Sequence, residues 1–71
     1  MISRRQTIKD LNLSNADFTD ADLSGAKLID ADLSFADLTG AKLIDADLSG
    51  ANLSNSVPVS TNFLNANLHG T

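Results

Sequence analysis

The side chains in this sequence best placed by type and spacing to do chemistry are its carboxylates. All nine acidic residues are Asp, and they include three Asp-x-Asp pairs: Asp20/Asp22, Asp30/Asp32 and Asp45/Asp47. Paired carboxylates suit a hard cation such as calcium, which gathers roughly six to eight oxygen ligands. His69 is the single imidazole and there is no Cys. A zinc-thiolate site and a Cys–His nucleophile are therefore both excluded. Ser and Thr are numerous, but no base stands in register with one to activate it. No catalytic residue is assigned, no cofactor is expected, and the chain is read as not being an enzyme.

The elements that must carry these groups are constrained by size. Seventy-one residues make one small domain, which needs partners or very regular packing to be stable without a metal or disulfides. The net charge of −4 argues against direct contact with nucleic-acid phosphates. The only basic cluster, Arg4, Arg5 and Lys9, reads as part of a solvated N-terminal lead-in or cap over residues 1–10. No apolar run has the length of a signal-peptide core or a membrane span, so the expectation is a cytoplasmic protein with no membrane partner.

The dominant feature is a repeat. An inward-type residue recurs every fifth position at Leu13, Phe18, Leu23, Leu28, Leu33, Leu38, Leu43, Leu48 and Leu53, meets Pro58, and returns at Phe63 and Leu68. Two residues earlier, Ala occupies every position from Ala16 to Ala51 in the same register, with Ser56, Thr61 and Ala66 following. A period of five forms no apolar face on a helix, where successive Leu would land about 140° apart. In one long strand it would send successive Leu to opposite faces. Within a unit, Ala and Leu are two apart and point the same way if that piece is extended. The chain must then turn before each new unit, which makes a solenoid with Ala and Leu inside.

The units A-D-L-S-G, A-K-L-I-D, A-D-L-S-F, A-D-L-T-G and A-N-L-S-N resemble the A-(D/N)-L-x-x motif of the pentapeptide repeat proteins, over about residues 11–70. The resemblance implies an all-β fold, a right-handed, four-sided (quadrilateral) β-helix with four pentapeptides to a coil. It divides the chain into a lead-in, 1–10, and a β-helix, 11–70, of about three coils. The expected core is Phe18, Leu23, Leu28, Leu33, Leu38, Leu43, Leu48, Leu53, Phe63 and Leu68, with Ile8 beneath Leu28.

With that coil, residues twenty apart stack. Asp22 falls beneath Lys42 and Lys27 beneath Asp47, whereas Asp17 and Asp37 form a like-charge stack that solvent must relieve. Lysines beside the other two Asp-x-Asp pairs leave Asp30 and Asp32, with Asp10 below, as the one cation candidate. No firm metal site is assigned. His69 is expected on the surface, and the Asn-x-Ser triplets at Asn12 and Asn52 are read as incidental. Ser56-Val57-Pro58-Val59-Ser60 is the faulty unit. Its Pro removes an N–H that a coil-to-coil bond would use, and the unit reads either as a loosened side or as a partner-facing bulge. The outward apolar residues, Ile44 with Leu64 on one side and Phe35 with Val57 and Val59 near the opposite edge, form the candidate partner surface. The last coil carries no polar cap of the kind solenoid ends need. A structural or protein-interaction module is therefore expected, dimerising or stacking end to end through that coil. A second expectation is an acidic mimic of duplex DNA that binds a type II topoisomerase, as some proteins of the resembled family do. A third is that the chain is one segment of a longer solenoid.

Overall fold

The structure, a computed structural model, describes residues 11–71. The predicted lead-in, including Ile8 and Asp10, lies outside the described residues. From residue 11 onward the five-residue period sets the backbone. Each unit contributes one bridge position, just before its central residue, and then a corner. The corner is fixed by two features. The fifth residue of every unit adopts a left-handed conformation, with φ between 55° and 75° from Asn15 to Gly70. The next inward residue then donates its N–H to the carbonyl of the preceding central residue, as in Ala21→Phe18 at 2.9 Å and Ala41→Leu38 at 2.9 Å. A four-residue turn closed this way, with positive φ only at its third residue, is a type II β-turn. Asn, Asp and Gly tolerate that conformation best, and they fill ten of these twelve positions; Phe35 and Ser60 are the exceptions.

Parallel bridges join residues twenty apart without exception: Asn12 to Asp32 to Asn52, Asp17 to Asp37 to Val57, Asp22 to Lys42 to Asn62, and Lys27 to Asp47 to Asn67. Four corners thus fall within each twenty-residue turn of chain, and residues 11–30, 31–50 and 51–70 form a lower, a middle and an upper level. The ladder between levels is regular. Asp32 donates down to Leu11 at 2.9 Å, while Leu33 and Phe35 donate up to Asn52 and Ser54 at 2.8 and 2.9 Å. The described chain is therefore a β-helix solenoid built from isolated bridges rather than long strands.

The interior is a stack of Leu over Leu and Ala over Ala. Leu23, Leu28, Leu33, Leu38, Leu43 and Leu48 are fully buried, with Ala26 to Ala51 between them and Phe18 below, and no polar side chain is buried among the described residues. Each buried Leu contributes about 1.5–3 kcal/mol relative to exposure, and Ala lets the backbone walls approach. Leu53 and Phe63 pack against this core only in part, and Leu68 is 40% exposed. The expectation that Leu68 is a core residue is thus corrected. A central residue is sealed from below and above, and in the described chain nothing lies above the upper level.

Pro58 also needs correcting. The N–H of a central residue donates to the level above it, as Leu38 does to Val57 at 3.0 Å. Pro58 sits on the upper level, so its missing donor removes nothing from the ladder beneath. Val57 still donates to Ala36 at 2.9 Å, and Val59 still accepts from Gly40 at 2.9 Å. What the faulty unit loses is its corner. Among the described units, Pro58 to Thr61 is the one turn without its closing backbone bond, and the Thr61 hydroxyl donates instead to the Leu38 carbonyl at 2.7 Å.

Candidate interaction surface

The aspartates that suggested cation chemistry do local structural work. Wherever the second residue of a unit is Asp or Asn, its side-chain oxygen accepts the N–H two residues on, from Asn12–Ser14 at 3.0 Å to Asn67–His69 at 3.0 Å. At Asp17, Asp32 and Asp37 the same oxygen also takes the hydroxyl of Thr19, Ser34 or Thr39 at 2.6–2.7 Å. This is an Asx turn, in which the side chain stands in for a backbone acceptor and bends the chain toward its corner. The recurrent Asp/Asn-x-Ser/Thr spacing was the signal for it in the sequence. The triplets at Asn12 and Asn52 are instances of the same repeat pattern. The Asp17–Asp37 stack is likewise relieved by these local donors, not by solvent alone.

The first Asp of each Asp-x-Asp pair does something else. Asp20, Asp30 and Asp45 are left-handed corner residues. The carboxylates of Asp20 and Asp30 lean onto Gly40 and Gly50 of the next level, where a Cβ would overlap them. Asp30 and Asp32 are thus turned to separate tasks. Among the described residues no three His, Cys, Asp or Glu side chains converge as metal ligands, and Asp10 lies outside them.

Electrostatics follow from these bonds. The Thr19 hydroxyl, and after it the Thr19 N–H, holds the Asp17 carboxyl below its ordinary 3.8. The Ser34 hydroxyl and N–H do the same for Asp32. For Asp47 the Ser49 N–H leads, its hydroxyl follows, and the Lys27 charge adds a smaller pull. Lys27 and Asp47 are bridge partners, as are Asp22 and Lys42, so both columns bring opposite charges together as expected. His69 is exposed on the upper level. A cleft of about 470 Å³ on the lower level is lined by residues 17–23. None of these lining residues is Lys, His or Cys, and Asp17 and Thr19 already bond each other.

The candidate partner residues are exposed, with one exception: Phe35, Val57, Val59 and Leu64 stand out at 43–61% exposure, while Ile44 is only half-buried. Their grouping differs from the expectation. Val57 and Val59 lie on the second side of the coil, residues 36–40 and 56–60, and Ile44 and Leu64 on the third, 41–45 and 61–65. These sides share the corner column Asp20–Gly40–Ser60, so the two sets are neighbours around one corner and not opposite. Phe35 stands at the corner before Val57. The upper level has a further property: residues 51–71 hold no Asp, Glu, Lys or Arg. Asn52, Val57, Asn62 and Asn67 stand where Asp32, Asp37, Lys42 and Asp47 stand one level below. Four of the six exposed large apolar residues among those described, Val57, Val59, Leu64 and Leu68, are on this level.

Comparison with known proteins agrees with this geometry. The family profile described as pentapeptide repeats (8 copies) matches residues 9–43 and again 41–71. No curated protein matches the chain at a significant level. Among solved structures, a pentapeptide repeat protein, Rfr23, from the cyanobacterium Cyanothece 51142 is similar with a TM-score of 0.85 and 36% identity, over 86% of this chain and 42% of that one. HetL, a pentapeptide repeat protein involved in heterocyst differentiation regulation from the cyanobacterium Nostoc sp. strain PCC 7120, is similar with a TM-score of 0.74 and 34% identity, over 89% of this chain and 32% of that one. The chain spans less than half the length of either. Among the described residues no helix is long and apolar enough to cross a membrane. With the five-residue units, the left-handed corners and the twenty-residue ladder all in place, the chain belongs to the pentapeptide repeat family.

Proposed function

We propose that this protein is a non-enzymatic interaction module of the cytoplasm. In this reading it is a right-handed, four-sided β-helix of about three coils, led in by residues 1–10, whose upper coil stacks on a second copy of the chain. The observation that carries it is the upper level, which holds no Asp, Glu, Lys or Arg, whose inward-type Leu53 and Phe63 are only partly buried and whose Leu68 is exposed. Charge is depleted and apolar surface gathered where a coil would be covered, and an open sheet edge is a template for pairing with another chain. The solved HetL is described as involved in regulation, a role in keeping with partner binding.

Sedimentation velocity of the 71-residue chain from low to high micromolar concentration tests the proposal. Reversible dimer formation that Leu68→Lys abolishes is expected, because two like charges would meet at a two-fold interface. A strict monomer throughout the range overturns it. The DNA-mimic reading draws no support from the geometry. Extents of 22 × 21 × 19 Å make the body as broad as it is long, and Lys27 and Lys42 interrupt two of its four columns.

A further inference from the structure

Phe35 occupies a backbone conformation that its side chain disfavours. Its φ is 61°, where a bulky residue is an outlier. Ten of the twelve corner positions are Asn, Asp or Gly, and Ser60 is the other exception. The Phe35 N–H donates up to Ser54 at 2.9 Å, so the ladder uses this backbone. The ring, however, is left 59% exposed, so burial does not offset the strain. Gly or Asn would serve the fold better at this corner. The reason for a phenyl ring there lies outside the fold, in keeping with the tendency of retained strain to gather at functional sites.

Two further observations converge on the same corner. Val57 bridges to Asp37, two residues past Phe35 and one level up. In the unit that contains it, Val57 stands where most units have Asp or Asn and Val59 where most have Ser or Thr, so the Asx turn is lost and exposed apolar surface takes its place. The charge around this surface is one-sided. The first and second sides of the coil, residues 11–20, 31–40 and 51–60, carry Asp17, Asp20, Asp32 and Asp37 and no Lys or Arg. Both described lysines, Lys27 and Lys42, are on the other two sides. Among the described residues, an apolar centre is therefore rimmed by carboxylates with no Lys or Arg on the same two sides.

We infer that Phe35, Val57 and Val59 form a docking surface for a protein segment that presents an aromatic or aliphatic side chain flanked by Lys or Arg. The apolar anchor supplies the desolvated centre, and the basic flanks meet the Asp17 and Asp37 column at the rim, where charge sets orientation and approach. The inference rests on the reading of the chain as an interaction module, but it uses a side of the coil rather than its upper end.

A random dodecapeptide library displayed on phage, panned against the full chain with the Phe35→Gly variant as counter-target, tests it. Enriched peptides combining an aromatic or aliphatic residue with neighbouring Lys or Arg are expected. Binding of a synthetic peptide from that pool falls by about tenfold or more in Phe35→Gly, the loss that burying one large apolar side chain accounts for. It also weakens in Asp37→Asn, in Val59→Ser and with added salt. Phe35→Gly melts at or above the wild-type temperature. No enrichment over the counter-target, or enrichment of peptides without basic residues, overturns the inference. So does a lowered melting temperature for Phe35→Gly, which would make Phe35 a structural residue. Sedimentation of the same variant separates this surface from end stacking. Loss of a dimer in Phe35→Gly would assign the patch to a second copy and overturn the inference. Peptide binding by a strict monomer would keep the docking surface and remove only the stacking.

Discussion

At the residue scale the tightest constraint lies at the corners. Gly40 and Gly50 are left-handed at φ 70° and 71°, and each also has a carboxylate from the level below where a Cβ would go. Two costs therefore fall on any substitution. An L-residue in this conformation costs about 1–2 kcal/mol, and relieving the overlap with Asp20 adds a shift of that side chain. Gly40→Ala is expected to destabilise the protein by about 2–3 kcal/mol in urea denaturation. Adding Asp20→Ala removes the overlap but leaves the backbone term, so the double variant should recover part of the loss. If the double variant is no more stable than Gly40→Ala, Asp20 does not set the requirement for Gly.

At the element scale the unit is a short extended piece and an Asx-assisted corner, and its acids give it a pH signature. Donors from Thr19, Ser34 and Ser49 lower the carboxyl values of Asp17, Asp32 and Asp47 in the folded chain. A depressed folded value means that the unfolded chain binds more protons, so stability rises with pH through this window. The contribution is complete above the ordinary 3.8 and is lost as pH falls through the lowered values. Circular-dichroism melts should therefore show a falling melting temperature as the solution is acidified through that window. Asp17→Asn, Asp32→Asn and Asp47→Asn together keep the side-chain acceptor for the turn but remove the titration. They are expected to flatten the acid slope while leaving the neutral-pH melt little changed. An unchanged slope would mean that other carboxylates set it.

The same scale shows what the sequence made legible. The inward Ala and Leu positions follow from period alone, because only a turning chain keeps every fifth residue on one side. The role of the Asp residues did not follow, because a carboxylate in a linear sequence reads first as charge or ligand. Its bond to an N–H two residues on exists only once the piece is extended. Phe35 was legible as an outward apolar residue, but its strain was not, since that depends on the fifth position being left-handed. Pro58 was read as a break in the ladder because the direction in which a central N–H points, up rather than down, is a property of the coil.

At the scale of the whole molecule, stability in a stacked solenoid is a sum over levels and the contacts between neighbours. The middle level is sandwiched, and its Leu33, Leu38, Leu43 and Leu48 are sealed on all sides. Within the described residues the upper level is packed only from below, with Leu53 and Phe63 partly buried and Leu68 exposed. The same substitution should therefore cost different amounts at different heights. Leu38→Ala leaves a cavity between two levels and is expected to cost about 2–5 kcal/mol. Leu68→Ala removes a side chain already in contact with water and should cost about 1 kcal/mol or less at concentrations where the chain is monomeric. Because stacking on a second copy would bury Leu68, the cost of Leu68→Ala should grow with protein concentration while that of Leu38→Ala should grow with it only slightly. Urea denaturation at low and high micromolar chain concentration measures both. A Leu68→Ala cost that stays flat across that range would show that the upper coil meets no second copy, and would leave the corner at Phe35 as the surface on which an interaction module must rest.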